Sequence, residues 1–142
     1  FLLGEYAVLD GGDAVVAEAD RHVEVRLRRS AATAGARIAA PGHCQPFDLT
    51  AGATPPPELR FACAAFEIAS SRLPAPSSPG CELEIRSGLE AGAGEGAKLG
   101  LGGSAAVCAA VVAALHAAAG RDVEGERDEI FAAALTAHHR AQ

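Results

Sequence analysis

The chain has no tryptophan and no methionine, and aromatic residues make up only 4% of its 142 positions. A core of large rings is therefore excluded, and alanine, valine and leucine must supply the interior, an arrangement that favours closely packed helices. Basic residues are also short: 12 Lys and Arg stand against 18 Asp and Glu, a net charge of -6. No basic stripe runs along the chain, which argues against a nucleic-acid partner. The four cysteines, Cys44, Cys63, Cys81 and Cys108, form no C-x-x-C pair and no zinc-finger spacing. They read as small, reduced core residues of a cytoplasmic protein. The longest apolar run, Ala105 to Ala119, is too short to span a bilayer and contains His116, so no membrane role is expected.

What is present is enough for one domain, with 49% hydrophobic residues. Phe1 to Leu9 reads as a strand, Asp10-Gly11-Gly12-Asp13 as a turn, and Ala14 to Ala19 as the returning strand. His22 to Arg28 alternates cleanly, with Val23, Val25 and Leu27 on one face. Weaker strands are expected over Ala36 to Ala40 and Gln45 to Leu49, a helix over Glu58 to Leu73, and another alternating strand over Cys81 to Arg86. Ser104 to Ala119 is apolar nearly all round and reads as a central buried helix stopped by Gly120. Glu126 to Arg140 is a final helix, acidic at its start and basic at its end, as the helix dipole favours. His138 and His139 fit that basic end; adjacent helical residues point about 100° apart and cannot act as a pair on one ligand. The order of elements predicts an α+β fold with helices packed on one face of a sheet.

The segment with the most chemistry runs from Glu95 through Lys98, Gly100, Leu101, Gly102, Gly103 and Ser104 to Ala106. Glycines let backbone N–H groups approach a ligand closely, and the helix that follows adds unpaired donors and a partial positive charge. Together these make a phosphate site. Two other phosphate motifs fit less well. Gly100-Leu101-Gly102-Gly103-Ser104-Ala105 matches the G-x-G-x-x-A dinucleotide fingerprint, but no strand leads directly into it. A Walker A loop ends in Lys-Ser or Lys-Thr, whereas Lys98 precedes the glycines.

Two motifs in this order carry a family resemblance. Gly4-Glu5-Tyr6-Ala7-Val8-Leu9-Asp10-Gly11 resembles the first motif of the GHMP kinases, and Lys98-Leu99-Gly100-Leu101-Gly102-Gly103-Ser104-Ala105-Ala106 resembles their phosphate-binding motif. The resemblance extends over residues 1–142 and implies the N-terminal, ATP-binding domain of such a kinase, with a mixed sheet of the ribosomal protein S5 domain 2-like type. Within the family the phosphomevalonate kinase branch is the most similar. Gly4-Glu5-Tyr6 stands where mevalonate kinases have Gly-Glu-His, a lysine precedes Gly100-Leu101-Gly102, and Glu129 to Gln142 resembles that branch's helix before the catalytic aspartate.

The resemblance implies ATP and Mg²⁺ as cofactors and a small phosphorylated or hydroxylated isoprenoid precursor as substrate. Gly100, Leu101, Gly102, Gly103 and Ala105 would contact the ATP phosphates through their backbone. Ser104 would ligate Mg²⁺, its plainer role being an N-cap. Lys98 would neutralise charge on the transferred or acceptor phosphate, and Glu5 and Tyr6 would lie at the substrate cleft. One departure stands out: Gly103 replaces the first of two serines usual in the family loop. The catalytic aspartate, a third glycine-rich motif and the C-terminal domain would lie outside these residues. The fragment alone is then expected to be inactive and, with its inter-domain face bared, prone to associate. Mevalonate kinase and a non-catalytic nucleotide-binding regulator are the alternative readings. Nothing in the sequence sets an oligomeric state.

Overall fold

The computed structural model describes residues 10–13, 15, 20–30, 35–73, 80–89 and 103–142. Four strands, β1 (Val23–Arg29), β2 (Gly35–Ala39), β3 (Phe47–Leu49) and β4 (Gly80–Ser87), form one sheet in the order β1-β4-β2-β3 among the described residues. β4 runs antiparallel to β1 and parallel to β2, while β2 and β3 are antiparallel, so the sheet is mixed. Three helices, α1 (Arg60–Arg72), α2 (Gly103–Ala118) and α3 (Arg127–Ala141), complete the α+β arrangement expected from the sequence.

Strand alternation separates two faces. Inward residues meet in register: Val25 faces Ile85, Leu27 faces Leu83, and Ile38 faces Leu83 from the other side. Ile38, Leu83 and Ile85 are buried. On the outer face every β1–β4 pair is of opposite charge: Glu24 with Arg86, Arg26 with Glu84, Arg28 with Glu82. Arg37 of β2 adds a two-pronged contact to Asp48 of β3 at 2.9 and 3.0 Å. Opposite charges across strands contribute a few tenths of a kcal/mol each at such exposed positions, and a two-residue slip in either direction would set Glu24 against Glu84 or Arg26 against Arg86.

α2 packs on β1 and β4, and α1 and α3 pack on α2 and on one another. Their contacts are built from small side chains: Ala62, Cys63, Ala65 and Ala69 of α1, Cys108, Val111 and Val112 of α2, and Ile130, Ala133, Ala134 and Ala137 of α3. The α3 set falls at i, i+3, i+4 and i+7, the stripe of a helix buried along one side. α2 is central, as its composition predicted, but not buried all round. Ala105, Ala109 and Ala117 are exposed along one edge, because three neighbours do not enclose a helix completely. α1 begins at Arg60 rather than Glu58, since the prolines before it form a turn in which the Leu59 N–H donates to the Pro56 carbonyl at 3.0 Å. Among the described residues, the large apolar side chains left exposed are Val15, Phe131 and Leu135.

α2 ends in a tight reversal. Gly120 adopts φ +74°, its N–H donates to the Ala117 carbonyl and the Arg121 N–H donates to the His116 carbonyl, both at 3.0 Å. This is a Schellman motif, and the glycine supplies the left-handed conformation that side-chain-bearing residues adopt at a cost. From the sheet, the Arg29 guanidinium donates to the Ala118 carbonyl at 3.0 Å and satisfies another helix-end acceptor. The turn expected at Asp10 to Asp13 is present, with Gly11 at φ +79°. The strands expected over Phe1 to Leu9 and Ala14 to Ala19 lie outside the described residues, apart from Val15.

Candidate phosphate site at the start of α2

Of the residues expected at the site, Gly103, Ser104 and Ala105 are described. They form the first residues of α2, where backbone N–H groups lack helical acceptors. Glu5, Tyr6, Lys98, Gly100, Leu101 and Gly102 lie outside the described residues. Gly103 is half-buried, and a Cβ built there would come within 3.8 Å of a Leu89 methyl, an ordinary contact.

The Ser104 hydroxyl does not stand alone in the first turn. Its Oγ lies 3.0 Å from Nε2 of His138, in the last turns of α3. His138 is in turn stacked on Phe61 of α1, ring centroids 5.1 Å apart and planes inclined by 24°. The Arg60 guanidinium sits over the other ring of that stack, 4.8 Å from the Phe61 centroid. One residue from each helix thus fixes the place of the next, and the serine is the last member of the row. The Cys108 thiol adds a weak contact to the Phe61 carbonyl at 3.6 Å, tying α2 to α1 one turn further on.

The electrostatic consequence follows from donor capacity. With Nε2 of His138 unprotonated, Ser104 donates its only proton to the ring and keeps its oxygen lone pairs for a cation. That donor chemistry, a hydroxyl oxygen beside the N-terminus of a helix, fits a hard cation that accompanies phosphate. His138 was expected only as a charge at a helix end. Its contact with Ser104 spans 34 positions of sequence, which no local spacing encodes. The signal that was available is the helical register of α3: His138 follows the buried Ala134 and Ala137 and so falls beside the inward stripe, whereas His139 does not.

A groove of about 420 Å³ runs between α1 and the β2, β3 and β4 strands, lined by Phe66, Glu67, Ser70, Leu49 and Cys81 among others; Ser104 and His138 are not part of it. Among the described residues, no cationic group lowers the pKa of these thiols. Burial pushes Cys63 up to about 12 and Cys108 up to about 11, and raises Cys44 and Cys81 as well. All four are free. A nucleophilic cysteine needs the opposite shift, so these act as small apolar side chains.

Residues 60–142, from α1 through the glycine-rich segment to α3, match the family described as GHMP kinases N terminal domain. The chain belongs to this family. A solved structure, that of a Lin0012 protein from Listeria innocua, is similar with a TM-score of 0.68 and 24% identity, over 87% of this chain and 34% of that one. That likeness concerns the fold, and the chain spans about a third of the length of that protein. A search among curated proteins gave no match. As a GHMP kinase N-terminal domain, the chain places its glycine segment directly before α2. No helix among the described residues is long and apolar enough to cross a membrane.

Proposed function

We propose that the chain is the N-terminal domain of a cytoplasmic, ATP- and Mg²⁺-dependent small-molecule kinase. Its acceptor would be 5-phosphomevalonate, converted to 5-diphosphomevalonate with release of ADP. The observation that carries this reading is the first turn of α2: the glycine segment that resembles the family's phosphate-binding motif runs into a serine whose Oγ lies 3.0 Å from His138 Nε2. Phosphoryl transfer depends on positioning and charge neutralisation more than on covalent chemistry by the protein, and this is what such a turn offers.

In this reading the N–H groups of Gly103, Ser104 and Ala105 receive phosphate oxygens, and Ser104 Oγ holds the cation. Mg²⁺, when bound, neutralises phosphate charge and fixes the geometry of the phosphates. Phe61 and His138 hold the serine rotamer before the nucleotide arrives, which lowers the ordering cost of binding. By resemblance, Lys98 would neutralise charge on the transferred or acceptor phosphate, and Glu5 and Tyr6 would belong to the substrate cleft. The phosphomevalonate branch is supported by Gly4-Glu5-Tyr6 and by the lysine ahead of the glycines.

A second reading, a nucleotide-binding regulator without turnover, draws on Gly103 in place of the usual serine. Losing one phosphate-contacting hydroxyl weakens binding by about 1 kcal/mol. The deciding experiment is ADP release by the full-length protein with MgATP, comparing 5-phosphomevalonate with mevalonate. Preference for phosphomevalonate supports the proposal, and preference for mevalonate assigns the sister activity. ATP binding without ADP release from either favours the regulator. Lys98→Ala should lower the rate on phosphomevalonate with little change in melting temperature; a lowered melting temperature at normal rate would make the lysine structural.

A further inference from the structure

At the opposite end of α2 from Ser104, the turn joining α2 to α3 brings together His116, Glu126 and Glu129. One ligand atom from each lies within 4.8 Å of the others. His116 is fully buried in the last turn of α2. Its Nδ1 lies 3.0 Å from the Val112 carbonyl, which can only accept, so Nδ1 carries the proton. With Nε2 unprotonated the ring offers a lone pair there, and that atom is buried without a hydrogen-bond partner. Glu126 Oε2 stands 4.0 Å from Nε2, beyond hydrogen-bond reach.

We infer that His116 Nε2, Glu126 and Glu129 form a site for a divalent transition-metal ion of the zinc type. The inference is independent of the proposed kinase activity. An imidazole nitrogen and two carboxylate oxygens are ligands that such an ion accepts, with water at the open position. A metal-bound imidazole typically donates its other N–H to a carbonyl, which sets ring and tautomer, and Val112 does this here. Glu126 is the residue that caps the start of α3 and Glu129 lies in its first turn, and a ligand atom of each falls within 4.8 Å of the other and of His116. Arg121 approaches both, at 2.7 Å from Glu126 and 3.5 Å from Glu129. Two carboxylates against one guanidinium leave negative charge in surplus; the C-terminal end of α2 adds to it and the N-terminal end of α3 offsets that addition. A cation there would tie the last turn of α2 to the first turn of α3 and satisfy the one described buried side-chain atom without a partner.

The test is Zn²⁺ titration of chelator-treated protein by calorimetry, with Co²⁺ as the spectroscopic probe. Glu129 is half-exposed, so Glu129→Gln removes a ligand without disturbing the core and is the deciding variant; His116→Gln is the second. The expected result is a single equivalent of bound Zn²⁺, a rise in melting temperature with the metal, and affinity lowered by about tenfold or more in Glu129→Gln. Co²⁺ should give no thiolate charge-transfer band. Three outcomes would overturn the inference: no Zn²⁺ binding, unchanged affinity in Glu129→Gln, or a thiolate band showing that the cysteines are the ligands.

Discussion

Ser104 Oγ and His138 Nε2 stand 3.0 Å apart and join the first turn of α2 to the last turns of α3. The bond links the one described hydroxyl at the glycine segment to a ring that is itself fixed by stacking on Phe61. Removing the hydroxyl therefore tests the site and the scaffold separately. Ser104→Ala in the full-length protein should reduce turnover by roughly 10²–10³-fold, on the scale of losing one preorganised electrostatic contact. Its stability should fall by only about 1 kcal/mol, the ordinary value of one hydrogen bond. ADP release and a urea midpoint measured on the same preparation check both. Unchanged turnover would remove the cation role assigned to Ser104.

His138→Phe separates orientation from packing. A phenyl ring keeps the stack with Phe61 but accepts no proton from Ser104. The fold should survive within about 1 kcal/mol, while the Michaelis constant for MgATP rises because the serine rotamer is no longer held. His138→Ala should cost more stability, since it also empties the stack. A Michaelis constant for MgATP unchanged in both variants would limit His138 to packing.

These two residues also mark where sequence reasoning stopped. The alternation of Val23, Val25 and Leu27 and that of Leu83 and Ile85 were legible because a strand's period is local. Gly120 was legible as a helix stop because a left-handed residue after an apolar run has few other uses. Ser104 was legible as the start of a helix, since the glycines and the alanine run meet there. His138 was not, because its partner is set by how α3 lies across α2, a matter of crossing geometry between small-residue stripes. His116 was visible only as a polar interruption of an apolar run, and its orphaned Nε2 emerged only with the turn that follows α2.

Gly120→Ala should destabilise the fold by about 1–2 kcal/mol, the cost of a left-handed backbone for a residue with a Cβ. Nothing lies within 4 Å of a Cβ built there, so the whole effect is conformational at φ +74°. Urea unfolding should show a lower midpoint with an unchanged slope. A neutral result would mean that the reversal after α2 relaxes at little cost.

The buried thiols make stability fall in alkali. Cys63 is pushed up to about 12 and Cys108 to about 11 from an ordinary 9.0, in both cases by burial. Below about pH 9 the thiols are protonated in both states and contribute no slope. As the pH rises beyond that value, the unfolded chain loses these protons while the folded chain keeps them. Stability then drops by up to about 1.4 kcal/mol per pH unit for each thiol until the folded values are reached. Urea midpoints between about pH 8 and pH 11 should fall more gently in Cys63→Ala/Cys108→Ala than in the unaltered protein. Identical slopes would show that the thiols are reached by water in the folded state.

The small-residue contacts among the three helices also decide which experiments on this protein are informative. Ala62, Ala65, Ala69, Ala133, Ala134 and Ala137 already carry the side chain that a conventional truncation scan would install, so such a scan is blind along most of the helical layer. The instructive direction is enlargement. Ala65, Ala69, Ala133 and Ala137 are each fully enclosed, and a valine or leucine at any of them would push two helices apart. A library that adds methylenes one position at a time would measure how closely the helices must approach for Ser104 and His138 to meet.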